Sequence, residues 1–373
     1  MLTKIKAFIS KEAVLCISAV LTIISAFFVP PSAEYFSYID WRVLCLLFCL
    51  MAVTSGLESC GFFSRTACLL VKKAPNLRVL SLFLVLLPFF SSMIVTNDVA
   101  LIIFVPLAIM IAGNVTTPAN TIKLVVLQTA AANLGSMATP LGNPQNLFLY
   151  TNYSLSPLDF FKVVLPIAFI SLILICLSVL LIGNRTTQIE LPTGAPASDK
   201  KRQYLFFGLL ILSLLSVFRV INYFVLLGIT VVLLLVFARD IFKKIDYCLL
   251  LTFVCFFIFA KNMGHIEIVR SFCEELMVKY PLITPVAASQ VISNVPATVL
   301  LAPFTDNSAA LLAGTNIGGL GTPVASLASL ISLKLYMKSE NADSKKYLLF
   351  FTAVNVVFLI ILVLFAEVVM GGY

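Results

Sequence analysis

Two short strings carry the side chains of this 373-residue chain best suited to polar chemistry. One is Thr96-Asn97-Asp98, followed by Pro106, and the other is Ser293-Asn294-Val295-Pro296, followed by Pro303. In both, asparagine and the later proline are nine residues apart. Ser and Asn favour helix N-caps and proline is tolerated in a first turn, so each string predicts the start of a helix. The free N–H groups and positive dipole end of such a helix form an anion site that needs no basic side chain. The Ser293 hydroxyl and Asn294 amide can add hydrogen bonds. Asp98 adds a carboxylate with three readings: a sodium ligand, the carrier of a coupling proton, or the cap of a helix starting at Val99. Capping and coupling are compatible.

A second matched pair follows. Asn133-Leu-Gly135-Ser-Met-Ala-Thr139-Pro140 has Asn, Gly, Thr and Pro at the spacing of Asn316-Ile-Gly318-Gly-Leu-Gly-Thr322-Pro323. Such residues interrupt a helix and leave carbonyls unpaired, an oxygen-rich setting for a sodium ion. One such motif could be a structural kink; a matched pair argues for a site. The first string continues as Leu141-Gly142-Asn143-Pro144-Gln145-Asn146. The solute-binding candidates are thus Thr96, Asn97, Asp98, Ser293, Asn294, Gly142, Asn143, Thr322 and Pro323. The coupling-ion candidates are Asp98, Asn97, Asn133, Thr139, Asn294, Asn316 and Gly318. A third match, Ile39-Asp40-Trp41 with Ile245-Asp246-Tyr247, opens an apolar run in each half.

The elements that position these residues lie in a bilayer. Apolar residues make up 61% of the chain, charged ones 11%, and mean hydropathy is +1.07, which excludes an ordinary soluble domain. Full spans are expected at 13–29, 40–60, 119–150, 163–183, 203–219, 222–238, 246–262, 308–335 and 347–369, about nine in all, of which 119–150 and 308–335 are broken helices. Two further apolar stretches, 77–113 and 282–304, are interrupted and read as re-entrant hairpins, tolerable only where buried in protein or lining a wet cavity. Lys4, Lys6 and Lys11 before Ala13–Val29 resemble a signal peptide, but length and the following spans favour a retained first helix.

Charge sets the orientation. With the N-terminus inside, 19 of the 25 basic residues fall in cytoplasmic segments, including Arg65, Lys72, Lys73, Arg78, Arg185, Arg239 and Lys244. Arg42, Lys162, Arg219, Lys261, Arg270 and Lys279 fall outside. Reading either hairpin as a full span spoils this asymmetry. The first repeat then starts outside and the second inside, an inverted repeat whose site lies where the halves meet. The expected layout is an N-terminal helix in 1–38, a first repeat in 39–183, a cytoplasmic linker at 184–202, a helix pair in 203–238 and a second repeat in 239–373.

The +8 net charge is explained by these connectors rather than by nucleic acid. The nine cysteines form no CxxC pair and read as small hydrophobes. His265, at a span end, reads as structural or interfacial; Glu58 and Glu367 are expected to snorkel, and Lys261 is similar, though it could face a cavity from the membrane edge. No phosphate-binding loop, HExxH motif or Gly-x-Ser-x-Gly elbow occurs, which argues against an ATP-driven pump and against an enzyme.

The strings TNDVALIIFVPL, ATPLGNPQN, SQVISNVPATVLL and GTNIGGLGTPVASLASLISL resemble the ion-transporter superfamily, which includes arsenite permeases, silicon-efflux transporters, citrate transporters and divalent-anion:sodium symporters. Order, spacing and length resemble those of the YbiR-type inner-membrane permeases. The resemblance implies an all-α, elevator-type transporter, multi-pass in a bacterial-type inner membrane and usually a homodimer. It needs no cofactor beyond Na+ or H+ as coupling ion. In the symporters of this group, paired Ser-Asn-Thr tips contact substrate carboxylates and flank sodium sites. Here the third residue is Asp98 in one tip and Val295 in the other, a departure that resembles the arsenite and silicon-efflux branch. The implied function is gradient-driven transport of a small anion or oxyanion-like solute. Sodium-coupled dicarboxylate or citrate uptake and a passive anion channel stand as alternatives.

Overall fold

The computed structural model describes residues 12–71, 74–183, 199–339 and 342–370. Lys4, Lys6, Lys11, Lys72, Lys73, Arg185 and the linker residues 184–198 lie outside the described residues. Among the described residues the regular structure is helical throughout, with no strand.

The helices begin where the sequence supplies caps. α1 spans Ala13–Ala26 and α2 is the short turn Tyr35–Tyr38. α3 (Trp41–Ser59) starts at Asp40, whose carboxylate accepts the Val43 N–H at 3.0 Å. α4 (Phe62–Val71) leads to α5 (Leu77–Ser91) and α6 (Asn97–Val115). α7 (Pro118–Ser136), α8 (Pro144–Asn152) and α9 (Pro157–Ser178) each open on a proline preceded by a capping Thr117, Asn143 or Ser156. The Ser156 cap explains why α9 starts six residues before the expected 163.

In the second half, α10 is Lys200–Val217 and α11 is Tyr223–Phe237. α12 (Tyr247–His265) is capped by Asp246 as α3 is by Asp40, its Leu249 N–H donating at 2.9 Å. α13 (Glu267–Lys279) precedes α14 (Ile283–Ile292), α15 (Asn294–Leu301), α16 (Ser308–Ile317), α17 (Leu327–Tyr336) and α18 (Ser344–Met370).

Both stretches expected to be interrupted are interrupted. The chain leaves helix between Ser91 and Asn97, and at Ser293, a single residue at φ +71° between α14 and α15. Both stretches expected to break do so, between Ser136 and Pro144 and between Ile317 and Leu327. Fewer helices are long than expected. Among the described residues four are long and apolar enough to cross a membrane: Trp41–Ser59, Pro157–Leu181, Tyr247–His265 and Ser344–Val369. α1 and α11 have 14 and 15 residues, and at 1.5 Å per residue fall short of a bilayer core of about 30 Å.

α7 is the central helix, buried on nearly all sides from Thr121 to Ser136 and packed against α5, α6, α9 and α18. Its Gln128 repairs a defect in α5: Pro88 has no N–H for the Leu84 carbonyl, and Gln128 Nε2 donates to it at 2.7 Å. Gly135 lets α7 touch the backbone of α5, because a Cβ there would lie 2.0 Å from the Phe89 carbonyl oxygen. One apolar core joins α3, α10, α11 and α12 through Val43, Leu46, Phe206, Leu226 and Phe253. A second joins α5, α7 and α18 through Leu84, Phe89, Val125, Leu134 and Phe351. The outward faces stay apolar, with Phe169, Leu177, Val236 and Leu364 exposed, as lipid requires.

Candidate functional site

The two tips are built alike, but their caps differ from the expected ones. Neither the Thr96 nor the Ser293 hydroxyl accepts a capping N–H. The asparagines do that work on the next residue: Asn97 Oδ1 accepts the Asp98 N–H and Asn294 Oδ1 the Val295 N–H, each at 3.0 Å. α6 begins at Asn97, two residues before Val99, so Asp98 lies inside the first turn and is not its cap. The Asn97 N–H donates to the Gly142 carbonyl at 3.2 Å, which takes up part of the expected anion-binding end.

The two helix breaks meet in one buried network. Asn97 Nδ2 donates to Asn133 Oδ1 at 2.9 Å. Asn133 also accepts from Ser326 Oγ (3.1 Å) and donates to Ser329 Oγ (3.2 Å). Asn316 does the same in reverse: its oxygen accepts from Asn143 Nδ2 (3.1 Å) and its amide donates to Asn146 Oδ1 (2.7 Å). Asn143 and Ser326 each lie four residues after the break threonine; Asn146 and Ser329 each lie seven after it. Every member is under 10% exposed. The threonines match too: Thr139 Oγ1 donates to the Met93 carbonyl and Thr322 Oγ1 to the Gln290 carbonyl, each four residues before a tip asparagine. Asn294 packs on the second break, its Nδ2 2.9 Å from where a Cβ on Gly319 would stand.

The expected free carbonyls at the breaks are largely occupied. Asn146 Nδ2 donates to the Met137 and Thr139 carbonyls at 3.1 and 3.0 Å. Gln290 Nε2 donates to those of Gly318 and Leu320 at 2.8 and 3.0 Å, and its Oε1 accepts the Thr322 N–H at 2.9 Å. Carbonyls away from water need partners, and the chain supplies them from side chains rather than leaving them for an ion. Asn146, Gln290, Ser326 and Ser329 were therefore missed; carrying the repeat register past each proline would have found Asn146, Ser326 and Ser329.

A cavity of about 270 Å³ opens beside the network. Thr96, Asp98 and Asn143 line it from the tip and the first break, with Ile331 of α17. Glu58 of α3, Lys244 and Asp246 line it from across. Glu58 thus faces the cavity instead of snorkelling away. No hydrogen bond or ion pair reaches the Asp98 carboxylate among the described residues. Ser293, Asn294, Thr322 and Pro323 do not line this space. A second cavity, of about 320 Å³, is lined by Asp40, Tyr153, Lys261 and Asp306. It contains Asp40 of the first Ile-Asp-aromatic string, as the other contains Asp246 of the second. His265 stays at the surface, its Nδ1 2.8 Å from the Lys261 carbonyl.

Helices alone among the described residues, with apolar outer faces, interruptions and a polar network at the breaks, define a multi-pass membrane transporter. Its fold is similar to the solved structure of the YdaH transporter of Alcanivorax borkumensis, with TM-score 0.56 at 13% identity, covering 91% of this chain and 88% of that one. The chain belongs to the citrate transporter family, whose model matches residues 1–315. It is 33% identical over 340 residues to an uncharacterized transporter of Methanocaldococcus jannaschii, covering 90% of this chain and 92% of the relative. It is 31% identical to the inner membrane protein YbiR of Escherichia coli, over 83% of this chain and 84% of that protein. The family is one of permeases, not of enzymes.

Proposed function

We propose that the chain is a secondary active transporter that moves a small oxyanion-like solute on a proton or sodium gradient, with Asp98 as the coupling residue. The observation that carries the reading is the Asp98 carboxylate at a cavity wall, beside the asparagine network and without a hydrogen-bond partner among the described residues. An unpaired carboxylate at that depth is costly unless a proton or cation joins it. The reciprocal bonding of Asn133 and Asn316 supports two inverted repeats. The paired cavities at Asp40 and Asp246 suit alternating access, which the family resemblance frames as an elevator movement in a homodimer of the plasma membrane.

The cavity also weighs on the solute. Asp98, Glu58 and Asp246 oppose one ammonium, Lys244. Three carboxylates disfavour a dicarboxylate and favour a weakly acidic oxyacid that donates hydrogen bonds. The family name keeps citrate transport as the second reading, with sodium-coupled uptake as the form that the sequence resemblance implies.

The test is flux in proteoliposomes with arsenite, silicate, citrate, succinate and sulfate, under a proton or a sodium gradient. Saturable, counterflow-competent transport of one solute is expected, and Asp98→Asn should abolish the driven part while the protein still inserts. Wild-type driven flux in Asp98→Asn would refute the assignment, and unsaturable flux would point to a channel.

A further inference from the structure

We propose that Arg42 and Arg219 form a phosphate-binding site at the end of α3, apart from the Asp98 cavity, which takes the phosphodiester of an anionic phospholipid or a free phosphate. The Arg42 side chain and the Arg219 backbone meet at one carbonyl. Arg42 Nη2 donates to the Ser216 carbonyl at 3.4 Å, and the Arg219 backbone N–H donates to the same oxygen at 3.0 Å.

The bland reading is that Arg42 completes the exposed end of α10. That uses one of its five donors. Arg42 Nε is buried with no partner among the described residues. The Arg219 guanidinium stands 6.0 Å from the Tyr150 ring centroid. Neither arginine makes an ion pair with a carboxylate among the described residues, and the neighbouring Asp40 is engaged at the Val43 N–H. The Asp40 carboxylate beside Arg42 offsets one of the two charges, and the second guanidinium is left without a carboxylate of its own.

α10 ends in a Schellman turn, with Arg219 N–H to Ser216 and Val220 N–H to the Leu215 carbonyl at 2.8 Å. Arg219 sits at φ +65°, where glycine is the usual residue. A side chain in that conformation is strained, so replacing Arg219 by glycine removes the guanidinium without a backbone penalty. Around the pair, Trp41, Val220 and Phe224 are exposed. Aromatic side chains beside arginine are the composition of the headgroup layer, and guanidinium pairs suit phosphate oxygens.

The test is native mass spectrometry of the detergent-solubilised full chain, titrated with phosphatidylglycerol, phosphatidylcholine or inorganic phosphate. Arg219→Gly removes the charge while relieving the strained turn, so it should fold at least as well as wild type. Arg42→Gln is the second variant. Each is expected to weaken phosphatidylglycerol binding about fivefold and leave phosphatidylcholine unchanged. Loss confined to inorganic phosphate would support the site and name free phosphate as its ligand. Wild-type binding of both ligands by both variants would overturn the proposal.

Discussion

Asn133 and Asn316 occupy equal places in the two helix breaks, and each is held by residues from the opposite half. Asn133 is bound by Ser326 and Ser329, and Asn316 by Asn143 and Asn146. The two breaks are therefore one unit. Replacing Asn316 by Ala takes the Asn316 amide from Asn146 Oδ1 and leaves Asn143 Nδ2 with Ser136 Oγ alone, both in a buried setting. An orphaned group costs about 1–3 kcal/mol. The same change at Asn133 should cost a similar amount, and the double variant less than the sum, because the network is already open after the first loss. Thermal unfolding in detergent measures all three; strict additivity would show the two halves to be independent.

Gly135 sets how closely α7 approaches α5. A methyl group there would stand 2.0 Å from a backbone oxygen, which no rotamer can avoid. Gly135→Ala is expected to lower stability by about 1–3 kcal/mol. Gly264 has nothing within 4 Å of its added Cβ, so Gly264→Ala serves as the control and should leave the melting temperature near wild type.

Much of this was legible in the sequence because membrane burial makes polar residues informative. The four interruptions are visible as Asn, Gly, Thr and Pro in apolar runs, and the matched spacing pairs Asn133 with Asn316. What the sequence did not give was the satisfaction of the breaks. Gln290 and Asn146 reach their carbonyls through tertiary packing, which local spacing does not encode. Glu58 was misread because distance from a span end says nothing about which way a helix face points. The short α1 was overextended because the apolar Phe27, Phe28 and Val29 follow its last helical residue, whereas α11 matches its expected bounds to within one residue.

Arg202 and Asp240 form an ion pair between the start of α10 and the turn before α12. The guanidinium, through its hydrogen bond, holds the Asp240 carboxyl below the usual range. A carboxyl lowered by folding contributes stability above its unfolded value, near 4, and loses it as pH falls through the folded one. Both side chains are partly exposed, so the pair is worth no more than about 0.5 kcal/mol. Asp240→Asn should therefore be slightly less stable than wild type at pH 7, with the gap closing under acid. A gap that persists below the folded value would mean the pair is not its cause.

Gln290 joins the second tip to the second break with both ends of its amide. Its Nε2 serves the Gly318 and Leu320 carbonyls while its Oε1 takes the Thr322 N–H. Gln290→Glu keeps the shape but replaces the donor with an acceptor facing two carbonyls. Gln290→Leu removes both functions with little change in volume. The glutamate variant should be the more damaging, because it keeps the Thr322 N–H contact but sets a second carboxylate oxygen against the Gly318 and Leu320 carbonyls, adding repulsion to the lost bonds. Leucine is expected to cost about 2–3 kcal/mol, from two carbonyls and one N–H left without partners away from water. Flux should fall in both, since the loop carrying Thr322 and Pro323 loses its tie to the Ser293 tip. A leucine variant with wild-type melting and flux would show that water, not Gln290, satisfies that loop.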